Sequence, residues 1–161
     1  MEAPNYQGMF LQDTSRFAAF GTQLIEVHDW LRGELAQLRA DLERGVQPRK
    51  LQAHCLSFCA AITKHHTGED AGAFPALAKQ FPELKPVLEE LAHDHSLITM
   101  MLLRLEKLDF TDPADAMREF NGIEAIIESH FSFEERKIVQ ALNSLSSPEW
   151  TATTPPFLET T

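Results

Sequence analysis

Residues 112–145 read DPADAMREFNGIEAIIESHFSFEERKIVQALNSL and carry the pattern that decides the fold. Asp112 followed by Pro113 is typical of a helix start, with an N-cap residue before a proline of the first turn. Beyond it, buried-type residues recur at intervals of three and four: Phe120, Ile123, Ile127, His130, Glu134, Ile138, Leu142 and Leu145. This spacing keeps one stripe on one helix face. The segment is therefore predicted to be a long amphipathic helix whose inner face includes a histidine and a glutamate.

Three further segments show the same periodicity, and we interpret them as three more helices. The first runs from about residue 14 to 44, the second begins near Pro48 and is expected to kink or end at Pro75, and the third begins after Pro86. No segment shows the alternation of a β-strand. Short connections favour neighbours that run in opposite directions, so the sequence predicts an all-α, up-down-up-down antiparallel four-helix bundle.

The length of 161 residues suits a single folded domain. We divide the chain into an N-terminal arm (1–12), the four-helix bundle (13–145) and an irregular C-terminal tail (146–161). The tail is rich in proline and threonine, which is typical of irregular structure. Within it, Trp150 and Phe157 are the candidates for docking on the bundle.

The composition excludes several classes of function. A formal net charge of −10 without a block of basic residues disfavours nucleic acid and anionic membranes as partners. No apolar run reaches the roughly 18 residues of a membrane span, and the N-terminus lacks the pattern of a secretory signal. Two cysteines do not form an extracellular disulfide framework. We therefore expect a cytoplasmic protein.

A histidine interrupts the apolar stripe near the middle of each predicted helix: His28, His65, His95 and His130. Glu69 and Glu134 follow two of them by four residues, which is about one turn along the same face. Counting residues outward from each connection places the four imidazoles at one depth, with the two carboxylates one turn away. Unpaired buried charge costs several kcal/mol or more, so the set predicts two divalent metals with terminal imidazoles and bridging carboxylates. Nitrogen and oxygen ligands suit iron, and also manganese or zinc.

Four neighbouring side chains stay open as alternatives. His66 and Asp70 lie about 100° off the stripe, where they are either replacement ligands or outer hydrogen-bond partners of the ligands. Glu135 has the same status beside Glu134. His93 lies about 200° around the helix from His95 and is expected at the surface or outside the ligand set.

The site motifs resemble those of the hemerythrin-like (HHE cation-binding) family over about residues 14–145. They are His28-Asp-Trp-Leu-Arg, His65-His66-Thr-Gly-Glu69-Asp70 followed by Phe74-Pro75-Ala-Leu, Asp94-His95-Ser-Leu-Ile, and His130-Phe-Ser-Phe-Glu134-Glu135. The resemblance implies an oxo- or hydroxo-bridged non-haem di-iron centre. By position, it implies that His28, His65, His95 and His130 are terminal ligands and that Glu69 and Glu134 are bridging carboxylates. Roles in the family include oxygen binding, oxygen or redox sensing, nitric oxide and peroxide handling, and iron homeostasis.

The sequence departs from the oxygen-carrying branch of that family. The branch has a further histidine four residues from the ligand of the third helix, where this chain has Leu91 and Thr99, and it has HxxxxD where this chain has HxxxE. A four-histidine set leaves one iron with an open position for an exogenous ligand. This argues against reversible oxygen carriage.

We predict a di-iron protein that binds or reacts with oxygen, peroxide or nitric oxide, and leave oxidoreductase activity open. The ligand set contains no separate catalytic residue and no organic cofactor site. The alternatives are a non-catalytic module that senses iron, oxygen or redox state or handles iron, and a di-iron oxidase of an organic substrate. The sequence names no protein partner.

Overall fold

The structure is a computed structural model that describes residues 19–145 and 154–160. Its elements are α1 (Phe20–Glu43), α2 (Pro48–Gly68), a π-helical turn (Glu69–Ala73), α3 (Phe74–Gln80), a 3-10 turn (Pro82–Leu84), α4 (Lys85–Glu106), α5 (Pro113–Ser144) and a second 3-10 turn (Pro156–Leu158). No β-strand occurs in these two ranges, which confirms the predicted all-α class. The predicted N-terminal arm and Trp150 lie outside the described residues.

The four long helices contact one another in a closed ring. α1 lies against α2 and α5, and α4 lies against the same two helices. Their apolar stripes face a common interior, where most large side chains are at most 5% exposed. Each fully buried leucine, isoleucine or phenylalanine contributes about 1.5–3 kcal/mol relative to an exposed position, so this interior supplies most of the driving force for folding.

The first turn of α1 is fixed by the last turn of α5. Asn143 Oδ1 accepts hydrogen bonds from the backbone N–H groups of Gly21 (2.8 Å) and Thr22 (3.2 Å). These N–H groups have no partner within their own helix, so a side chain of α5 takes the place of a local cap. At the other end of α5, Asp112 accepts a hydrogen bond from the backbone of Asp115, as expected for the predicted N-cap.

Pro75 does not end the helix, because the helical backbone continues past it to Gln80; of the two predicted outcomes, only the kink stays a prediction. The chain first widens into the π turn, in which the N–H of Phe74 bonds to the carbonyl of Glu69, five residues earlier. Pro75 then lies in the first turn of α3, a position at which proline is common. The interruption therefore comes before the proline, in a turn that contains Glu69. Such π turns are frequent at functional sites.

None of the described helices combines the length and the apolar character of a membrane-spanning segment.

Candidate metal centre

The four histidines of the apolar stripes meet in the interior. The Nε2 atoms of His28 and His65 are 3.2 Å apart, and the rings of His95 and His130 have centroids 4.9 Å apart. All four residues are at most 3% exposed. The helices thus bring together the four imidazoles at one depth, and their role as metal ligands remains a prediction.

Glu69 and Glu134 lie between the histidines and are fully buried. One oxygen of Glu69 is 3.3 Å from the Nε2 atoms of both His65 and His95. Glu134 approaches the other two imidazoles, at 3.7 Å from His28 and 3.2 Å from His130. Each carboxylate therefore reaches one histidine of each close pair, which is the position that a bridging carboxylate requires.

A fifth histidine, His66, belongs to the same cluster. It is 4% exposed, and its ring stacks on His95 at 3.9 Å and lies 5.2 Å from His130. The sequence predicts His66 only as an alternative ligand, because it lies off the apolar stripe. A buried face at least 100° wide nevertheless holds two successive positions of one helix. The doubled histidine before Glu69 was the signal for it.

The ligand atoms fall into two groups, each with its atoms within 4.8 Å of one another. The three-His group contains His66, His95 and His130 with Glu69, and the two-His group contains His28 and His65 with Glu69 and Glu134. Glu69 belongs to both groups. The arrangement can hold two metal ions that share a carboxylate.

The Nδ1 atom of each of the four predicted histidine ligands also forms a hydrogen bond to an oxygen atom outside the two ligand groups. The oxygen partners are Glu135 Oε2 for His28 (2.9 Å), the Phe157 carbonyl for His65 (2.5 Å), Asp70 Oδ1 for His95 (2.8 Å) and Asp94 Oδ2 for His130 (3.0 Å). An imidazole that donates from Nδ1 keeps its Nε2 lone pair for a metal, and such outer partners orient most metal-binding histidines. Asp70 and Glu135 thus act outside the ligand groups, and His93 is exposed as expected.

Apart from the Nε2 atoms of His28 and His65, which face each other, the inward-facing polar atoms of the cluster lack hydrogen-bond partners. They are both carboxylate oxygens of Glu69 and of Glu134, and the Nε2 atoms of His66, His95 and His130. Burial of a polar group without a partner costs about 1–3 kcal/mol, and more for a charge. A pair of metal ions bound among these atoms would satisfy them, so the residues present fit the group that the motif predicts.

Burial also sets the protonation of the centre in the metal-free protein. Burial, and then the neighbouring His28, lower the pKa of His65 to about 3, and burial lowers the pKa of His66 well below its usual value. Both imidazoles are therefore neutral near pH 7, in the form that binds metals. Burial, and then the charge of Glu134, raise the pKa of Glu69 well above its usual value. The metal-free centre thus disfavours two ionised carboxylates side by side.

One wall of the two-His group is closed by aromatic and charged side chains. Phe131 is fully buried and stacks on His28 with ring centroids 3.8 Å apart. Arg32 lies over the Phe131 ring at 5.3 Å and donates to Glu135 at 2.7 Å. The Arg32–Glu135 pair thereby fixes the carboxylate that orients His28.

We expect removal of an outer carboxylate to weaken the three-His group. Asp70→Ala or Asp94→Ala takes away the acceptor of His95 or His130, so each ring loses its fixed orientation. Loss of such a partner typically costs 10–100-fold in metal affinity, which a Co²⁺ titration of metal-free protein measures. Asp29→Ala, which removes an exposed partner of Arg32, is the matched control and should leave the affinity unchanged. Equal affinities in all three variants would contradict the orienting role.

The helices of this chain enclose buried imidazoles and carboxylates in two groups. This arrangement is typical of helical metal-binding domains. The family model for the hemerythrin HHE cation binding domain matches residues 21–142, and the chain belongs to this family. No curated protein gives a significant match, and neither does any solved structure.

Proposed function

We propose that this chain is a non-haem di-iron protein that binds or reacts with a small oxidant: oxygen, peroxide or nitric oxide. The observation that supports it best is the convergence of seven buried side chains, five of which direct nitrogen or oxygen atoms without hydrogen-bond partners into the interior. Their division into two groups with Glu69 in common matches a carboxylate-bridged pair of metals. Iron, rather than manganese or zinc, comes from the family resemblance and stays a prediction.

The two groups differ in a way that favours reaction at one of them. The three-His group offers three imidazoles, whereas the two-His group offers only His28 and His65 besides the carboxylates. We infer that the metal of the two-His group keeps a position open for an exogenous ligand, since open positions distinguish reactive metal sites from closed ones. Bound iron would supply redox chemistry there, and the chain's own residues orient the ligands and exclude water.

Burial favours a small ligand over an organic substrate. The seven side chains of the two groups are between 0% and 4% exposed, and Phe131 covers His28. A diatomic molecule or peroxide needs far less space than an organic substrate. The alternatives of a sensing or iron-handling module, and of an oxidase with an organic substrate, stay open as predictions.

We also propose the up-down-up-down order for the four long helices. The closed ring of contacts among them supports it, as do the short connections between Glu43 and Pro48 and between Glu106 and Pro113. Short connections of this kind join helices that run in opposite directions.

Metal analysis combined with absorption spectroscopy tests the proposal. Purified protein should contain about two irons per chain, with one metal for each of the two groups. Its near-ultraviolet band should change on addition of peroxide, oxygen or nitric oxide. His93→Ala removes an exposed histidine and should leave metal content and spectrum unchanged. The proposal would be overturned by a protein that is fully stable without binding metal, or by one whose absorption spectrum does not change with any of the three oxidants.

A further inference from the structure

Residues 154–160 form a C-terminal strap that lies on the side of α2 and the π turn. Its centre is the 3-10 turn Pro156–Leu158, in which Phe157 is 1% exposed and Leu158 is 6% exposed. These two side chains belong to the apolar core, although eight residues of the chain between Leu145 and the strap lie outside the described ranges. The strap is therefore part of the folded body.

The strap contacts the metal centre through one backbone atom. The carbonyl oxygen of Phe157 accepts a hydrogen bond from Nδ1 of His65, at 2.5 Å. The opposite nitrogen of the same ring, Nε2, points to His28 Nε2 at 3.2 Å and to Glu69 at 3.3 Å. With Nδ1 donating, Nε2 is left as a lone pair inside the two-His group.

This support differs from that of the other predicted ligands. His28, His95 and His130 are held by carboxylates on the helices themselves, at Glu135, Asp70 and Asp94. His65 depends instead on a segment 92 residues further along the sequence. The orientation of His65 is thus tied to whether the strap is seated.

The strap is seated by close backbone packing. A Cβ atom at Gly68 would lie 2.5 Å from the backbone nitrogen of Phe157 and 2.9 Å from its Cα, so only glycine lets the strap approach α2 this closely. An ion pair between Lys64 and Glu159 at 2.5 Å lies beside this contact, at the surface. The glycine contact, being buried, is the one that sets how close the Phe157 carbonyl comes to His65.

We propose that Phe157 is a positioning residue of the metal centre, whose carbonyl fixes His65 for the two-His group, so that seating of the C-terminal strap controls metal binding at that group. The proposal rests on the proposed metal function. The strap would then support the two-His group, which is the group inferred to keep a position open for the exogenous ligand. In the three-His group, Asp70 accepts from Nδ1 of His95 and Asp94 accepts from Nδ1 of His130, and neither of these acceptors lies on the strap.

The test is Gly68→Ala, which displaces the strap without altering any ligand. A Co²⁺ titration should show two sites in the wild-type chain. In the variant, one site should be weakened about 10–100-fold while the other is unchanged. Gly33→Ala makes the same change inside α1, where a Cβ meets no atom within 4 Å, and should bind as the wild type does. Two unaltered sites in Gly68→Ala, or equal weakening of both sites, would overturn the proposal.

Nitrogen-15 spectra of the metal-free wild-type protein give a second readout that does not depend on any variant. The His65 ring should carry its proton on Nδ1, because the Phe157 carbonyl can only accept a hydrogen bond from that nitrogen. A ring protonated on Nε2 in the wild-type protein would overturn the proposal. Failure of the metal function and failure of the strap proposal give different results. A wild-type chain that binds no Co²⁺ refutes the metal function. Two tight Co²⁺ sites whose affinities are the same in Gly68→Ala refute only the role of Phe157.

Discussion

Addition of divalent metal to the metal-free protein should raise its unfolding temperature by roughly 8–16 °C for each site that fills. The reason is that Glu69 and Glu134 are fully buried with no hydrogen-bond partner on either carboxylate oxygen. A metal that binds only the folded state at 1,000 times its Kd stabilises that state by about 4 kcal/mol. In a domain of this size, 1 kcal/mol corresponds to a shift of about 2–4 °C. Calorimetry with and without Fe²⁺ or Co²⁺ measures the shift.

The control for this experiment is a variant that loses an exposed histidine. His93→Ala should show the same shift as the wild-type chain, because His93 lies outside both groups. His95→Ala should lose most of the shift at the three-His group. An unfolding temperature that does not move on addition of either Fe²⁺ or Co²⁺ would contradict the metal centre altogether.

The helices and most of the centre could be predicted from spacing alone. In α5, intervals of three and four residues placed His130 and Glu134 on the buried face, and both are at most 3% exposed. The Asp112–Pro113 pair marked the start of this helix correctly. Such local signals suffice because a side chain's face is fixed by helical geometry, which depends only on position along the helix.

The sequence predicts His66 only as an alternative ligand and Phe157 only as a candidate for docking on the bundle, because their roles at the centre depend on the packing of the whole chain. His66 enters the cluster because the buried face of α2 is wide enough for two successive positions, and the width of a face depends on its neighbours. Phe157 acts through its backbone carbonyl, which every residue possesses, so the residue type at position 157 does not predict this hydrogen bond. The π turn that starts at Glu69 likewise left no signal besides the proline that follows it.

The second large effect is expected from replacing both buried carboxylates: Glu69→Met together with Glu134→Met. The double variant should bind no metal pair, since both carboxylates that are predicted to bridge the metals are gone. Its metal-free form should nevertheless be more stable than the metal-free wild-type protein. Burial and the charge of Glu134 raise the pKa of Glu69, so the folded metal-free state disfavours a charge on Glu69 beside the one on Glu134. Replacing buried ionic groups by apolar residues of similar volume often stabilises a protein by 1–4 kcal/mol.

Chemical denaturation of both metal-free proteins measures this difference, and a Co²⁺ titration measures the loss of binding. The matched control is Glu26→Met with Glu90→Met, which places the same side chains at exposed positions of α1 and α4. The control should keep two sites and change the free energy of unfolding by less than about 0.5 kcal/mol per substitution. If the variant without the buried carboxylates were the less stable one, the two glutamates would be structural residues. If the double variant is more stable without metal and has lost metal binding, the wild-type fold tolerates an unfavourable pair of buried carboxylates because metal binding offsets their cost.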